Sequence, residues 1–131
     1  MELPVNQAAD LVRSAHFDWL ADDHIFTTSI PDEFVDDTSA TVMRIDEYQN
    51  QPDGYANRAF RTIQIGVEVQ IYYQSDVDFN IQDAEITLMR LFKQARWEVA
   101  ISREHTFDPD TDQLTKTIYF VKNEILRTEG D

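Results

Sequence analysis

"TIQIGVEVQIYYQ", residues 62–74, alternates apolar and polar side chains along its length. Ile63, Ile65, Val67, Val69, Ile71 and Tyr73 take every second position, with Gln64, Gly66, Glu68, Gln70 and Tyr72 between them. Successive side chains of a strand point to opposite faces. The spacing therefore predicts a long strand with one buried and one polar face. Something apolar must cover the odd-numbered face, and that requirement sets the fold class.

Two helical patterns supply the cover. Over residues 4–20, Val5, Ala8, Leu11, Val12, Ala15 and Trp19 share one face, with Gln7, Asp10, Arg13 and Asp18 facing out. Pro4 suits a first helical turn, and Asp22-Asp23 marks a break. Over 81–96, Ile81, Ala84, Leu88, Leu91 and Ala95 form a stripe with Met89 and Phe92 beside it. Asn80 or Asp78 is placed to cap this helix. Asp83 and Glu85 near its start, and Arg90, Lys93 and Arg96 near its end, complement the helix dipole.

The remaining stretches read as strands and turns. "HIFTTSIP", 24–31, is a short strand ending at Pro31, and "DEFVDDTSA", 32–40, is an acidic, turn-rich connection. "TVMRIDEY", 41–48, is a second strand. "QNQPDGYANRA", 49–59, reads as a loop, because Pro52-Asp53-Gly54 carries turn chemistry. The third strand spans about 60–74. After the second helix, Trp97, Val99 and Ile101 alternate with Glu98, Ala100 and Ser102, "DPDTDQ" at 108–113 turns, and "LTKTIYFVKN" at 114–123 returns. The expected order is α-β-β-β-α-β-β. This is one α+β domain over 1–131, a mainly antiparallel sheet with two helices packed on one face, and a charged tail from Glu124.

Composition narrows the function classes. A chain of 131 residues closes a single core without staples. There is no cysteine, which excludes thiol catalysis, CxxC redox chemistry and thiolate zinc sites. No apolar run is long enough for a signal peptide or a membrane span, so a soluble intracellular protein with no membrane partner is expected. The net charge is −14, from 25 acids against 11 bases. No basic stripe is present to neutralise phosphates, so direct nucleic-acid binding is not expected.

Catalytic and metal motifs are lacking. The three glycines form no phosphate-cradling loop. His16, His24 and His105 are dispersed and read as structural or surface residues. No GxSxG elbow occurs. Asp108, Asp110 and Asp112 match the first alternating ligands of a calcium loop. The glycine and glutamate that such a loop requires are replaced by Gln113 and Tyr119, so a hairpin tip is the better reading. Asp22-Asp23-His24 and Asp36-Asp37 are acid clusters that read as solvated. No cofactor and no enzymatic activity are expected.

The order of elements, with "FTTSIP", "IQIGVEVQIYYQ", "AEITLMRLFKQA" and the tryptophan-led "RWEVAISREHTFDPDTDQLTKTIYFVKN", resembles the tail terminator (tail completion) proteins of long-tailed bacteriophages. The nearest group is that of small proteins from phages and prophages of lactic acid bacteria and their relatives. The resemblance spans about residues 3–123. It implies a structural virion protein, assembled in the host cytoplasm as a six-membered ring on the finished tail tube. Such a ring stops tube polymerisation and presents a surface for the head connector, while DNA passes through without specific binding. The implied partners are further copies of the chain, the tail tube protein and the head connector protein.

On that view Asp32, Glu33, Asp36, Asp37 and Asp53, in the 31–40 and 49–59 loops, are candidate lumen or tube-facing acids, since an acidic lumen repels DNA. Phe34, Tyr48 and Tyr55, with Tyr72 on the outer sheet face, are candidate ring or tube contacts. A head-completion or neck connector protein is an alternative. So is a small acidic binding protein, such as an inhibitor or DNA mimic.

Overall fold

A computed structural model describes residues 1–35, 37–56 and 59–126, without the side chains of 54–56 and 59. Helix α1 (Pro4–Ala15) leads, through a 3₁₀ turn at Asp22–His24, to strand β1 (Ile25–Thr27). A one-turn helix α2 (Asp32–Val35) precedes strands β2 (Val42–Ala56) and β3 (Ala59–Tyr72). Helix α3 (Ile81–Gln94) follows, then β4 (Glu98–Ser102), β5 (Thr106–Phe107) and β6 (Leu114–Ile125). The sheet runs β1-β2-β3-β6-β4, with β5 also on β6. All pairs are antiparallel except β1 with β2. The fold is α+β, as expected, with α1 and α3 on one face of the sheet.

Strand β3 is central. Residues Val42↔Tyr72 through Ala56↔Ala59 pair it with β2, and Thr62↔Ile125 through Tyr72↔Thr115 pair it with β6. Ile65, Val67, Val69, Ile71 and Tyr73 are fully buried, as the alternation predicts. They meet Val5, Ala8, Ala9 and Val12 of α1 and Leu88 and Phe92 of α3 in one core. Phe92 lies flat on Phe120 of β6, with ring centres 3.9 Å apart, and meets Trp97 edge-on. Asn80 caps α3, its Oδ1 accepting from the Asp83 amide at 2.9 Å.

Several boundaries differ from the sequence reading. Helix α1 stops at Ala15 because His16 turns left-handed, with φ 49°. Phe17 and Trp19 then stack on each other at 5.2 Å, and Trp19 leans on Phe79 and Tyr73. Trp19 thus reaches the core from a loop, not from a helix face. The first strand shrinks to three residues. It ends at Thr28, which has φ 74° and donates its amide to the Ile45 carbonyl. The buried stripe of α3 runs through Ala84, Glu85, Leu88 and Phe92, so a glutamate takes a central position while Leu91 lies at the flank.

The largest correction concerns residues 49–59. The expected loop is mostly strand: β2 continues to Ala56, and Pro52 pairs with Ile63 inside the ladder. Proline is tolerated there because β1 reaches only Met43–Ile45, so this part of β2 is a sheet edge where a missing amide need cost no ladder bond. A bulge accompanies it. Glu47 pairs with Val67 and Gln49 with Gly66, leaving Tyr48 as the extra residue. Gly66 is required beneath it: a Cβ there would sit 3.0 Å from the Tyr48 ring and 3.2 Å from the Phe120 carbonyl oxygen.

Truncating the stacked ring tests the core directly. Phe92→Ala should cost about 3–5 kcal/mol of unfolding free energy by urea denaturation. Asn80→Ala should cost about 1 kcal/mol. If Phe92→Ala costs less than Asn80→Ala, the α3–β6 seam is not the closed core described.

Candidate interaction surfaces

The polar face of the sheet is a network tied to itself. Tyr119 donates its hydroxyl to Glu68 at 3.0 Å, Tyr72 donates to Gln70 at 3.3 Å, and Gln70 donates to Glu68 at 3.4 Å. Arg44 pairs with Asp46 at 2.8 Å. Tyr48 meets Tyr119 edge-on at 4.7 Å, and the Arg103 guanidinium lies over the Tyr119 ring. Tyr72 is half-buried in this network, its hydroxyl pushed above its ordinary pKa mainly by burial. Tyr48 keeps 41 % of its surface exposed and is the freer contact candidate.

The other candidates scatter. Phe34, half-buried in α2, packs on Phe26 at 5.1 Å and His24 at 5.2 Å. Asp32 and Glu33 are exposed in the same turn. Asp37 is bound locally: its Oδ1 accepts from the Ser39 amide at 2.9 Å and from the Ser39 hydroxyl at 2.5 Å. Those bonds hold its carboxyl below the ordinary value. Asp36 lies outside the described residues. The backbone of Tyr55 pairs with Phe60 in the β2–β3 ladder, and its side chain is outside the description. Asp53 is exposed on β2, opposite Thr62. From Val42 to Asp53 the strand covers about 35 Å at roughly 3.3 Å per residue. The acids of the 31–40 segment and Asp53 therefore lie near opposite ends of β2 and form no single patch within one copy.

Two features escaped the sequence reading. The first is a buried carboxylate. Glu85, only 2 % exposed, accepts from the Tyr73 hydroxyl at 2.6 Å, and its Oε2 lies 2.7 Å from His105 Nε2. Burial and the adjacent Glu85 carboxylate push the Tyr73 hydroxyl far above its ordinary range. The second is an apolar groove of about 310 Å³ between α3 and β4, lined by Ile86, Met89, Arg90, Lys93, Glu98 and Val99. Its signal in the sequence was the basic end of α3 followed at once by an alternating strand. That strand reads as half-buried, yet every residue of β4 is exposed.

The remaining acid clusters have local roles. In the 108–113 turn, Asp108 accepts from the amides of Asp110 and Thr111, and Asp112 takes φ 59°, as a hairpin tip requires. His16 and His24 lie 3.5 Å and 3.9 Å from Asp22 and Asp23 respectively. A cleft of about 710 Å³ separates the end of α1 from the start of α3, with Phe17, Trp19 and Phe79 as its aromatic wall.

Tyr73→Phe deletes a donor to a buried carboxylate and should cost about 1.5–3 kcal/mol at pH 7. The pH dependence has a definite sign. A folded-state pKa raised above the unfolded value of about 10 means stability is full below that pH and falls above it. Urea titrations should therefore show wild type weakening above about pH 10 more steeply than Tyr73→Phe. Parallel slopes for the two would mean that Tyr73 is not held neutral by its surroundings.

Comparison with curated proteins finds no match. A family model does match, over residues 2–125, which is nearly the whole described chain. The chain belongs to the family described as "Protein of unknown function (DUF806)".

Proposed function

We propose that this protein is a tail terminator: a ring subunit that caps the tail tube of a long-tailed phage, stops its polymerisation and offers the head connector a docking surface. The observation that carries this reading is the β2–β3 hairpin. It runs on past the part of the sheet that β1 and β4 flank, out to Ala56↔Ala59, while β6 follows it only to Thr62. A two-stranded ribbon is at best marginally stable in water by itself. Even a short two-stranded tip gains stability when it lies against another surface, and a ring on a tube would provide two: the next subunit and the tube end. The order of elements named in the resemblance and the net charge of −14 fit the same role.

The exposed acids are then divided by position. Those of α2 and Asp53 on β2 present negative charge at two levels of the subunit, where contact with DNA in transit is discouraged.

The test is a capping assay. Purified tail tube protein polymerising on its initiator should stop at a fixed length when this protein is added, with open-centred, six-fold rings on tube ends by negative stain. Tubes that grow on at saturating protein would overturn the reading. Binding to isolated heads alone would assign the protein to the neck. A salt-sensitive one-to-one complex with a nuclease would assign it to the inhibitors.

A further inference from the structure

The α3–β4 groove has an apolar floor, with two bases and one acid at its rim, in a chain of net charge −14. Ile86 and Met89 are half-buried, and Val99 keeps 40 % of its surface exposed. Arg90 and Lys93 are exposed at its rim, and Glu98 engages Lys93 at 2.6 Å. A complementary occupant presents one apolar side chain flanked by acids.

This chain carries such a segment. Val35 is 50 % exposed in α2, one turn after the exposed acids Asp32 and Glu33. Other exposed apolar residues fit less well. Phe107 precedes an acid, but Asp108 is committed to its own turn, and β5 lies on the same side of β6 as the groove. Ile125 neighbours Glu124, which is paired with Lys122. Position favours α2 as well. Phe34 seats it on Phe26 of β1, the first strand of the sheet, while the groove flanks β4, the last.

We infer that α2 of one copy docks into the α3–β4 groove of the next, joining copies head to tail across opposite edges of the sheet. The inference rests on the self-assembly proposed above and supplies its contact. A contact between two different surfaces closes into a ring when its rotation permits. Side chains, not added strands, carry it. The Tyr48 bulge and Pro52 interrupt the open edge of β2, and a second bulge between Val99 and Ile101 interrupts β4, which are devices that discourage strand addition.

The absence of cysteine makes the test clean. Val35→Cys and Val99→Cys both fall at exposed positions, where substitution is well tolerated. Under mild oxidation, an equimolar mixture of the two variants should give disulfide-linked dimers, and the double variant should give ladders. Either single variant alone should stay unlinked. The samples are taken at concentrations where light scattering shows oligomers, and again on capped tubes. Glu33→Lys and Lys93→Glu should each weaken self-association by roughly tenfold, and mixing the two should restore it. Oligomers or capped tubes that show neither the cross-link nor the charge effect overturn this contact and leave the tail-terminator reading standing. Efficient linking by Val99→Cys alone overturns it in favour of a back-to-back β4 contact. No self-association in solution or on tubes overturns both.

Discussion

The double pairing of β3 governs the rest of the molecule. Strands β2 and β6 both flank it from Thr62 to Tyr72, so its backbone there needs little from solvent. Its odd-numbered side chains then have only one way to leave water, which is a layer of helix above them. Ile65, Val67, Val69, Ile71 and Tyr73 have no exposed surface, and burying a side chain of this size contributes about 1.5–3 kcal/mol. The two amphipathic helices are short and gain much of their own stability from the same contact. Sheet and helices are therefore one cooperative unit, and substitutions in the odd-numbered column should be felt in both.

A second constraint holds the edge of that unit in place. The segment between β4 and β5 has little apolar contact, yet it is fixed at two points. His105 reaches the buried Glu85 of α3, and the Lys116 ammonium donates to the Arg103 carbonyl. Tyr73, at the end of the β3 column, shares the Glu85 oxygen. A buried carboxylate with two hydrogen-bonding neighbours is tolerable, whereas the same group without them would be costly. The network couples the central strand, α3 and the last edge of the sheet. It thereby sets how α3 and β4 diverge, and so the width of the groove between them.

How much of this was legible in the sequence follows from the physics of each signal. The alternation at 63–73 is periodic over many residues and packing preserved it; of the expected α3 stripe, Ala84 and Leu88 are buried, while Phe92, read as lying beside it, takes the place expected for Leu91. Asn80 was readable as a cap because its role is local. The reading failed where a tertiary neighbour decides. Pro52-Asp53-Gly54 has turn chemistry, but the open edge of β2 removes the penalty for proline and the ladder with β3 continues through it. Val99 and Ile101 alternate like buried residues and are exposed. Glu85 looked like a dipole-compensating acid near a helix start, and only the positions of Tyr73 and His105, 12 residues before it and 20 after it, give it another role. For the candidate contacts, the sequence offers residue types and no placement. The two acidic segments are neighbours in sequence, but β2 carries them apart.

That separation bears on how a subunit of this shape meets its partners. The polar face of the sheet is a weak adhesive, because Glu68, Gln70, Tyr72 and Tyr119 already satisfy one another and would have to exchange bonds to bind anything else. The helix layer has buried most of its apolar surface in the core. Among the described residues, exposed apolar surface remains at the margins: Val35 beside the acidic turn of α2, and the groove between α3 and β4. Margins on opposite sides of a flat body do not favour a two-fold dimer, which needs one surface to match itself. Two unlike margins would instead meet head to tail from copy to copy.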